Sequence, residues 1–80
     1  ANTQQQLKKL NEKLKKTEEE IAVFEASVKA VEADLAKEEV FSNQHKLTEA
    51  NNKYLAEKAL LDHAQKTWEE LAAEIMELEG

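Results

Sequence analysis

The 80-residue chain has no cysteine and no proline, only four aromatic residues, and a single glycine at its last position. Without cysteine, neither a disulfide framework nor a thiolate metal site can form, which is compatible with the cytoplasmic location we expect. The lone terminal glycine excludes a phosphate-binding loop of the GxxxxGK type. No apolar run approaches the roughly 18 residues that span a bilayer, so we expect a soluble chain with no membrane partner.

Charge is what the chain has in abundance. Charged residues make up 35% of it, and the net charge is -6. Together with the shortage of glycine, proline and aromatic residues, this composition is typical of long solvated helices rather than strands and tight turns. The length predicts one small domain over residues 1–80.

Two heptad stripes organise the sequence, each keeping one side of a helix apolar. The first consists of Leu7, Leu10, Leu14, Thr17, Ile21, Phe24, Val28, Val31 and Leu35. The second consists of Leu47, Ala50, Tyr54, Glu57, Leu61, Ala64, Trp68, Leu71, Ile75 and Leu78, with one polar lapse at Glu57. Because such narrow stripes need partners in water, the sequence predicts an all-α fold, a two-helix antiparallel coiled-coil hairpin. The expected helices cover about residues 4–39 and 44–79, with a tip at about 40–43.

An antiparallel pairing can be tested on the sequence, because residue numbers in one layer should add to a constant, here 85. This register places Leu10 with Ile75 and Thr17 with Trp68. It also predicts three cross-helix ion pairs, namely Lys13 with Glu74, Asp34 with Lys53, and Glu25 with Lys58. The weak layer sets Val28 against Glu57, whose carboxylate we expect to bend toward Lys53 or Lys58.

The break between the stripes contains the helix-capping signals. Ser42 or Asn43 is suited to accept the first free N–H groups of the second helix. Val40 and Phe41 precede this cap, and we expect them to fold over the last layer near Leu47. The alternative is that Phe41 is an exposed docking point.

Residue types that carry chemistry are poorly placed for it. His45 and His63 are too far apart in sequence to form a ligand pair on one helix turn, so no metal site is expected. We expect the carboxylates on solvated faces of the helices, without a pocket in which a paired acid and base could work. We therefore expect no enzyme activity and no cofactor in this chain.

Lysines are concentrated near the start of the chain, where a single carboxylate, Glu12, accompanies them. They are Lys8, Lys9, Lys13, Lys15 and Lys16, our candidate nucleic-acid-binding residues. Four of them, all but Lys13, fall on outer heptad positions, where they can meet a phosphate backbone. The chain has no arginine, so any contact should be directed to the backbone and sensitive to salt. The alternative is that the lysines only pair with an acidic strip on the second helix, made of Glu69, Glu70, Glu74, Glu77 and Glu79.

A few apolar residues fall outside the stripes. Val23 lies on an outward row of the first helix that is otherwise alanine, and Leu55 and Leu60 lie outside the stripe of the second. These residues indicate a second packing face, against another domain or another hairpin.

Three segments carry a resemblance to a known family: EEEIAVFEASVKAVEADLAKEEVFS, HKLTEANNKYLAEKALL and WEELAAEIMELE. Over residues 17–79 the chain resembles the C-terminal coiled-coil domain of the ABC-F proteins, ATP-binding cassette ATPases without membrane-spanning parts. Val40, Phe41 and Ser42 match the tip of that domain. Trp68, Glu69, Glu70 and Leu71 match its ending. Family members often carry Asp-Pro around the tip, and this chain does not.

The resemblance implies a non-catalytic C-terminal accessory arm, with ATP binding and hydrolysis in upstream domains outside this chain. It implies contact with nucleic acid, as rRNA or DNA, or with the ribosome during translation, and it sets the lysine cluster near the linker to those domains. Two alternatives remain open. One is a structural spacer or dimerisation coiled coil, a monomer or weak homodimer that associates through Val23 and Leu60. The other is the coiled-coil arm of an aminoacyl-tRNA synthetase, which would prefer tRNA.

Overall fold

The computed structural model describes residues 3–80, so residues 1 and 2 of the predicted domain lie outside the described part. Three helices follow one another: α1 over Thr3–Leu35, α2 over Glu38–Phe41 and α3 over Gln44–Glu79. No strand occurs among the described residues. The molecule is elongated, with extents of 60 × 15 × 14 Å. The prediction of an all-α fold is therefore confirmed.

Helices α1 and α3 pack along each other, and the short α2 contacts both. Leu10 and Leu78 line one groove, which places the beginning of α1 beside the end of α3. Farther along the rod, Phe24 and Leu60 line a second groove. The residue numbers of these two pairs add to 88 and 84, close to the predicted 85, and the exact layers stay a prediction.

The core is a single seam between α1 and α3. Its fully buried apolar members are Val28, Val31, Leu61, Ala64 and Ile75, and all five belong to the heptad stripes. The other stripe residues are buried or half-buried, except Leu47, which is 37% exposed. In the predicted register Leu47 lies opposite residue 38, which is beyond the end of α1, so it has no layer partner there.

Thr17 is the one buried polar side chain of the described residues. Its Oγ1 donates a hydrogen bond to the backbone carbonyl of Lys13 at 2.8 Å. A threonine on a helix satisfies its hydroxyl in this way without a partner from the other helix. The seam therefore accepts a polar residue without leaving an unsatisfied buried side-chain atom among the described residues.

Helix α1 ends at Leu35, four residues before the predicted boundary, and the first half of the predicted tip, Val40 and Phe41, belongs to the short helix α2. The N–H groups of Ala36 and Lys37 donate to the carbonyls of Ala33 and Asp34, three residues back. This tight closure is followed by extended backbone at Lys37, with φ -76° and ψ 133°. The extended residue redirects the chain so that α2 crosses toward α3, which a straight continuation of α1 could not do.

Helix α3 begins at Gln44 because Asn43 caps it. Asn43 has extended backbone, and its side-chain oxygen accepts a hydrogen bond from the N–H of Lys46 at 3.1 Å. This is the geometry of an N-cap, so Asn43, rather than Ser42, caps the second long helix.

The three predicted cross-helix ion pairs are absent from the part of the chain that the structure describes. The ion pairs there are Asp34 with Lys37 at 3.2 Å, His45 with Glu49 at 3.1 Å, and Lys58 with Asp62 at 3.7 Å. Each joins residues three or four apart, which lie within reach without a second helix. Glu57 likewise forms no ion pair with Lys53 or Lys58 among the described residues, and its side chain is half-buried.

Within residues 3–80, no helix is both long and apolar enough to cross a membrane.

Candidate nucleic-acid interface

The five candidate lysines lie on the first turns of α1, and every one of them is exposed. At a rise of about 1.5 Å per residue, the stretch from Lys8 to Lys16 covers roughly 12 Å of the rod. None of the five takes part in an ion pair of the described chain. Their ammonium groups are thus available to an external anion.

The lysines are divided between two sides of α1. Lys9, Lys13 and Lys16 line the grooves that α1 shares with α3. Lys8 lies with Gln5 and Glu12 on a neighbouring surface, and Lys9 borders that surface as well. The cluster therefore wraps around one end of the rod rather than forming a single flat patch.

Acidic side chains stand across the groove from part of the cluster. Glu74 and Glu77 of α3 line the same groove as Lys9 and Lys13. No ion pair joins these opposite charges in the described residues, so the structure does not bring the lysines and the acidic strip into contact. The nearby carboxylates still lower the positive potential on this side. Lys8 shares its surface with one carboxylate, Glu12.

The histidines lie apart from each other. Nε2 of His45 is 3.1 Å from Oε1 of Glu49 near the start of α3, whereas His63 lines the second groove beside Leu60 and Thr67. Across residues 3–80, no group of three histidine, aspartate or glutamate side chains is arranged to hold a metal ion.

The tip differs from the expected packing. Val40 is half-buried, but Phe41 is 53% exposed and does not close over the last layer. Its backbone N–H donates to the carbonyl of Lys37, which keeps it in α2. The ring therefore lies partly in solvent, as the docking-point alternative requires.

Sequence reasoning singled out Val23 and Leu60 but missed the groove that relates them. The second groove is lined by Lys16, Glu20 and Phe24 from α1 and by Leu60 and His63 from α3, among others. Val23 borders a depression that shares Lys16, Glu20 and Phe24 with it. The heptad positions of these residues could have predicted the groove, because they all lie on the same flank of their apolar stripes.

Comparison with protein-family models, with curated proteins and with solved structures finds no match to this chain. The resemblance to ABC-F proteins stays a prediction from the sequence.

Proposed function

We propose that this chain is an antiparallel coiled-coil hairpin that serves as the non-catalytic C-terminal accessory arm of an ABC-F type ATPase. The arm contacts nucleic acid or the ribosome through its lysine-rich end, in the cytoplasm. Contact is made to the phosphate backbone. ATP is bound and hydrolysed by upstream domains outside this chain.

The observation that carries this proposal is the set of five exposed lysines, free of ion pairs, at one end of a 60 Å rod. Lysines that neutralise phosphates release condensed counterions, which gives affinity without reading sequence. The absence of arginine fits this mode, since bidentate recognition of guanine calls on arginine. The resemblance sets this end near the linker, so the proposed contact lies beside the upstream domains rather than at the turn.

Binding of the chain to labelled RNA and duplex DNA at two salt concentrations tests the proposal. The test variant replaces Lys8, Lys9, Lys15 and Lys16 with glutamine. The matched control replaces four lysines outside the cluster, Lys29, Lys46, Lys53 and Lys66, which are also exposed and unpaired with carboxylates. Both variants change the net charge equally, so a difference between them reports position rather than total charge.

We expect binding to weaken as the salt concentration rises. The control variant should keep more of the wild-type affinity than the test variant does. Each lysine that no longer neutralises a phosphate should reduce the slope of log K against log salt by about 0.7 to 0.9. Equal binding by the test variant and the control would contradict the lysine-rich end as the contact surface. Absence of binding at low salt would favour the spacer or dimerisation alternative, and a preference for tRNA would favour the synthetase arm.

A further inference from the structure

One side of the α1 and α3 pair, which we call the groove face, has an apolar centre without a partner. It is the side lined by Lys13, Glu20 and Phe24 of α1 and by Leu60 of α3. Leu60 is 48% exposed there, and the adjoining Val23 is 61% exposed. Phe24 lies between them, half-buried. Large apolar side chains exposed together indicate a contact surface more strongly than isolated ones do.

Charge is distributed unequally across the groove face beside this centre. The α1 edge carries Lys9, Lys13 and Lys16, whereas the α3 edge carries Glu74 and Glu77. The register places Glu70 within a residue of the level of Lys16, so that three lysines run along one edge and three glutamates along the other. All six side chains are exposed and none forms an ion pair among the described residues.

This arrangement is complementary to a second copy of itself. A two-fold axis parallel to the rod, lying between two groove faces, sets α1 of each copy against α3 of the other at the same level. The three lysines of each chain then lie opposite the three glutamates of the other, so the same contact forms on both sides of the interface. The reversed orientation would instead set the lysine end of α1 against the far end of the partner's α1, where the carboxylate on this flank, Asp34, is already paired with Lys37.

The surface area also favours a second copy. The chain exposes 6123 Å². A compact monomer of its 9.1 kDa mass would expose roughly 4,900 Å². Only a single two-helix seam is buried, whereas four helices can enclose a core on more than one side. The excess of roughly 1,200 Å² per chain is larger than the about 800 Å² per partner that a standard interface buries.

We propose that the groove face is the interface of a parallel homodimer, in which two copies of this chain form a four-helix bundle around Val23, Phe24 and Leu60. The charged edges fix its orientation, and the apolar centre supplies most of the attraction.

Sedimentation velocity up to the millimolar range, without nucleic acid, tests the proposal with two charge-reversed variants. One carries Lys9→Glu, Lys13→Glu and Lys16→Glu. The other carries Glu70→Lys, Glu74→Lys and Glu77→Lys. Each alone sets like charges against each other across the interface, and we expect its dimer dissociation constant to rise by about tenfold or more. An equimolar mixture restores opposite charges at every level, so the two variants should form a heterodimer.

The apolar centre is tested separately, with Val23→Lys and Leu60→Lys in one chain. The matched control is Leu55→Lys with Met76→Lys, two exposed apolar residues that line none of the grooves described here. We expect the first variant to lose the dimer and the control to keep it. Far-UV circular dichroism of every variant shows whether the helices persist; where charge reversal unfolds the chain, the Val23 and Leu60 variant decides.

A dimer that fails in the groove-face variants and returns on mixing would support the proposal. A wild-type chain that stays monomeric throughout the concentration range would overturn it, as would assembly beyond two copies. Equal dimerisation of the groove-face variant and its control, or no heterodimer between two folded charge variants, would also overturn it. None of these outcomes depends on nucleic-acid binding, so this proposal and the proposed function can fail independently.

Discussion

Asn43 joins the turn to the longest helix through one side-chain hydrogen bond. Its oxygen accepts from the N–H of Lys46, one of the first N–H groups of α3, which no backbone carbonyl of the helix can reach. Thr17 also uses a local hydrogen bond inside the seam, where its hydroxyl donates to a carbonyl of its own helix. Both polar side chains are therefore satisfied by neighbouring backbone groups rather than by a partner on another helix.

We expect Asn43→Ala to lower the free energy of unfolding by about 1 kcal/mol, because the N-cap hydrogen bond is removed. Urea denaturation followed by circular dichroism measures this change. Asn52→Ala is the control, since Asn52 is exposed in the interior of α3. Alanine is the better helix former there, so the control should be neutral or slightly stabilising. Equal destabilisation by both changes would contradict the capping role.

Val31 is the most completely buried side chain of the described residues, at 2% exposure. We expect Val31→Ala to cost about 1 to 3 kcal/mol, through reduced burial and the cavity that remains. Val23→Ala makes the same substitution on an exposed site of the same helix and should change stability by less than about 0.5 kcal/mol. Both are measured by denaturation at micromolar protein. Similar effects at the two sites would show that the seam does not run through Val31.

At the scale of secondary-structure elements, the break between α1 and α3 matters most, because it reverses the direction of the chain. It contains neither glycine nor proline, and among residues 3–80 no residue has a positive φ. The reversal is made instead by extended backbone at Lys37 and by the short α2. Extended backbone is also what a residue preceding proline prefers.

Glu38→Pro should therefore be tolerated and should raise the free energy of unfolding by about 0.4 to 1 kcal/mol. Proline suits the first position of α2, where the N–H of Glu38 makes no hydrogen bond across the turn, and it restricts the unfolded chain. Glu32→Pro, inside α1, should cost about 3 kcal/mol or more, because it breaks a helical hydrogen bond. Thermal denaturation of both variants checks the contrast. A large loss of stability from Glu38→Pro would mean that α1 continues through this position in solution.

As a whole, the molecule is a thin rod with a charged end. The two proposals share Lys9, Lys13 and Lys16, since a dimer through the groove face would cover the same lysines that nucleic acid could contact. Lys8 lies on a different surface, bordered by Gln5 and Glu12. Dimerisation and nucleic-acid binding are therefore expected to compete in part, with nucleic acid lowering the dimer fraction at low salt.

Small-angle scattering at increasing concentration distinguishes how copies associate. A parallel dimer through the groove face should thicken the particle while its longest dimension stays near the 60 Å of one chain. The radius of gyration at low concentration should approach the 17.9 Å of the Cα trace, with a contribution from side chains and hydration. A longest dimension that grows markedly with concentration would indicate end-to-end or staggered association instead.

The heptad stripes determined by themselves that the chain is helical, that the seam runs through Val28, Val31, Leu61, Ala64 and Ile75, and that α3 begins after a capping residue. These properties follow from local propensity and periodicity, which depend on neighbours within a few residues. The end of α1, the exposure of Leu47 and the choice of ion-pair partners were decided only by the tertiary structure. The chain must cross from one helix to the other at a particular level, and a charged side chain takes the nearest partner in space. For Asp34 that partner is Lys37, created by the turn, rather than Lys53 across the seam.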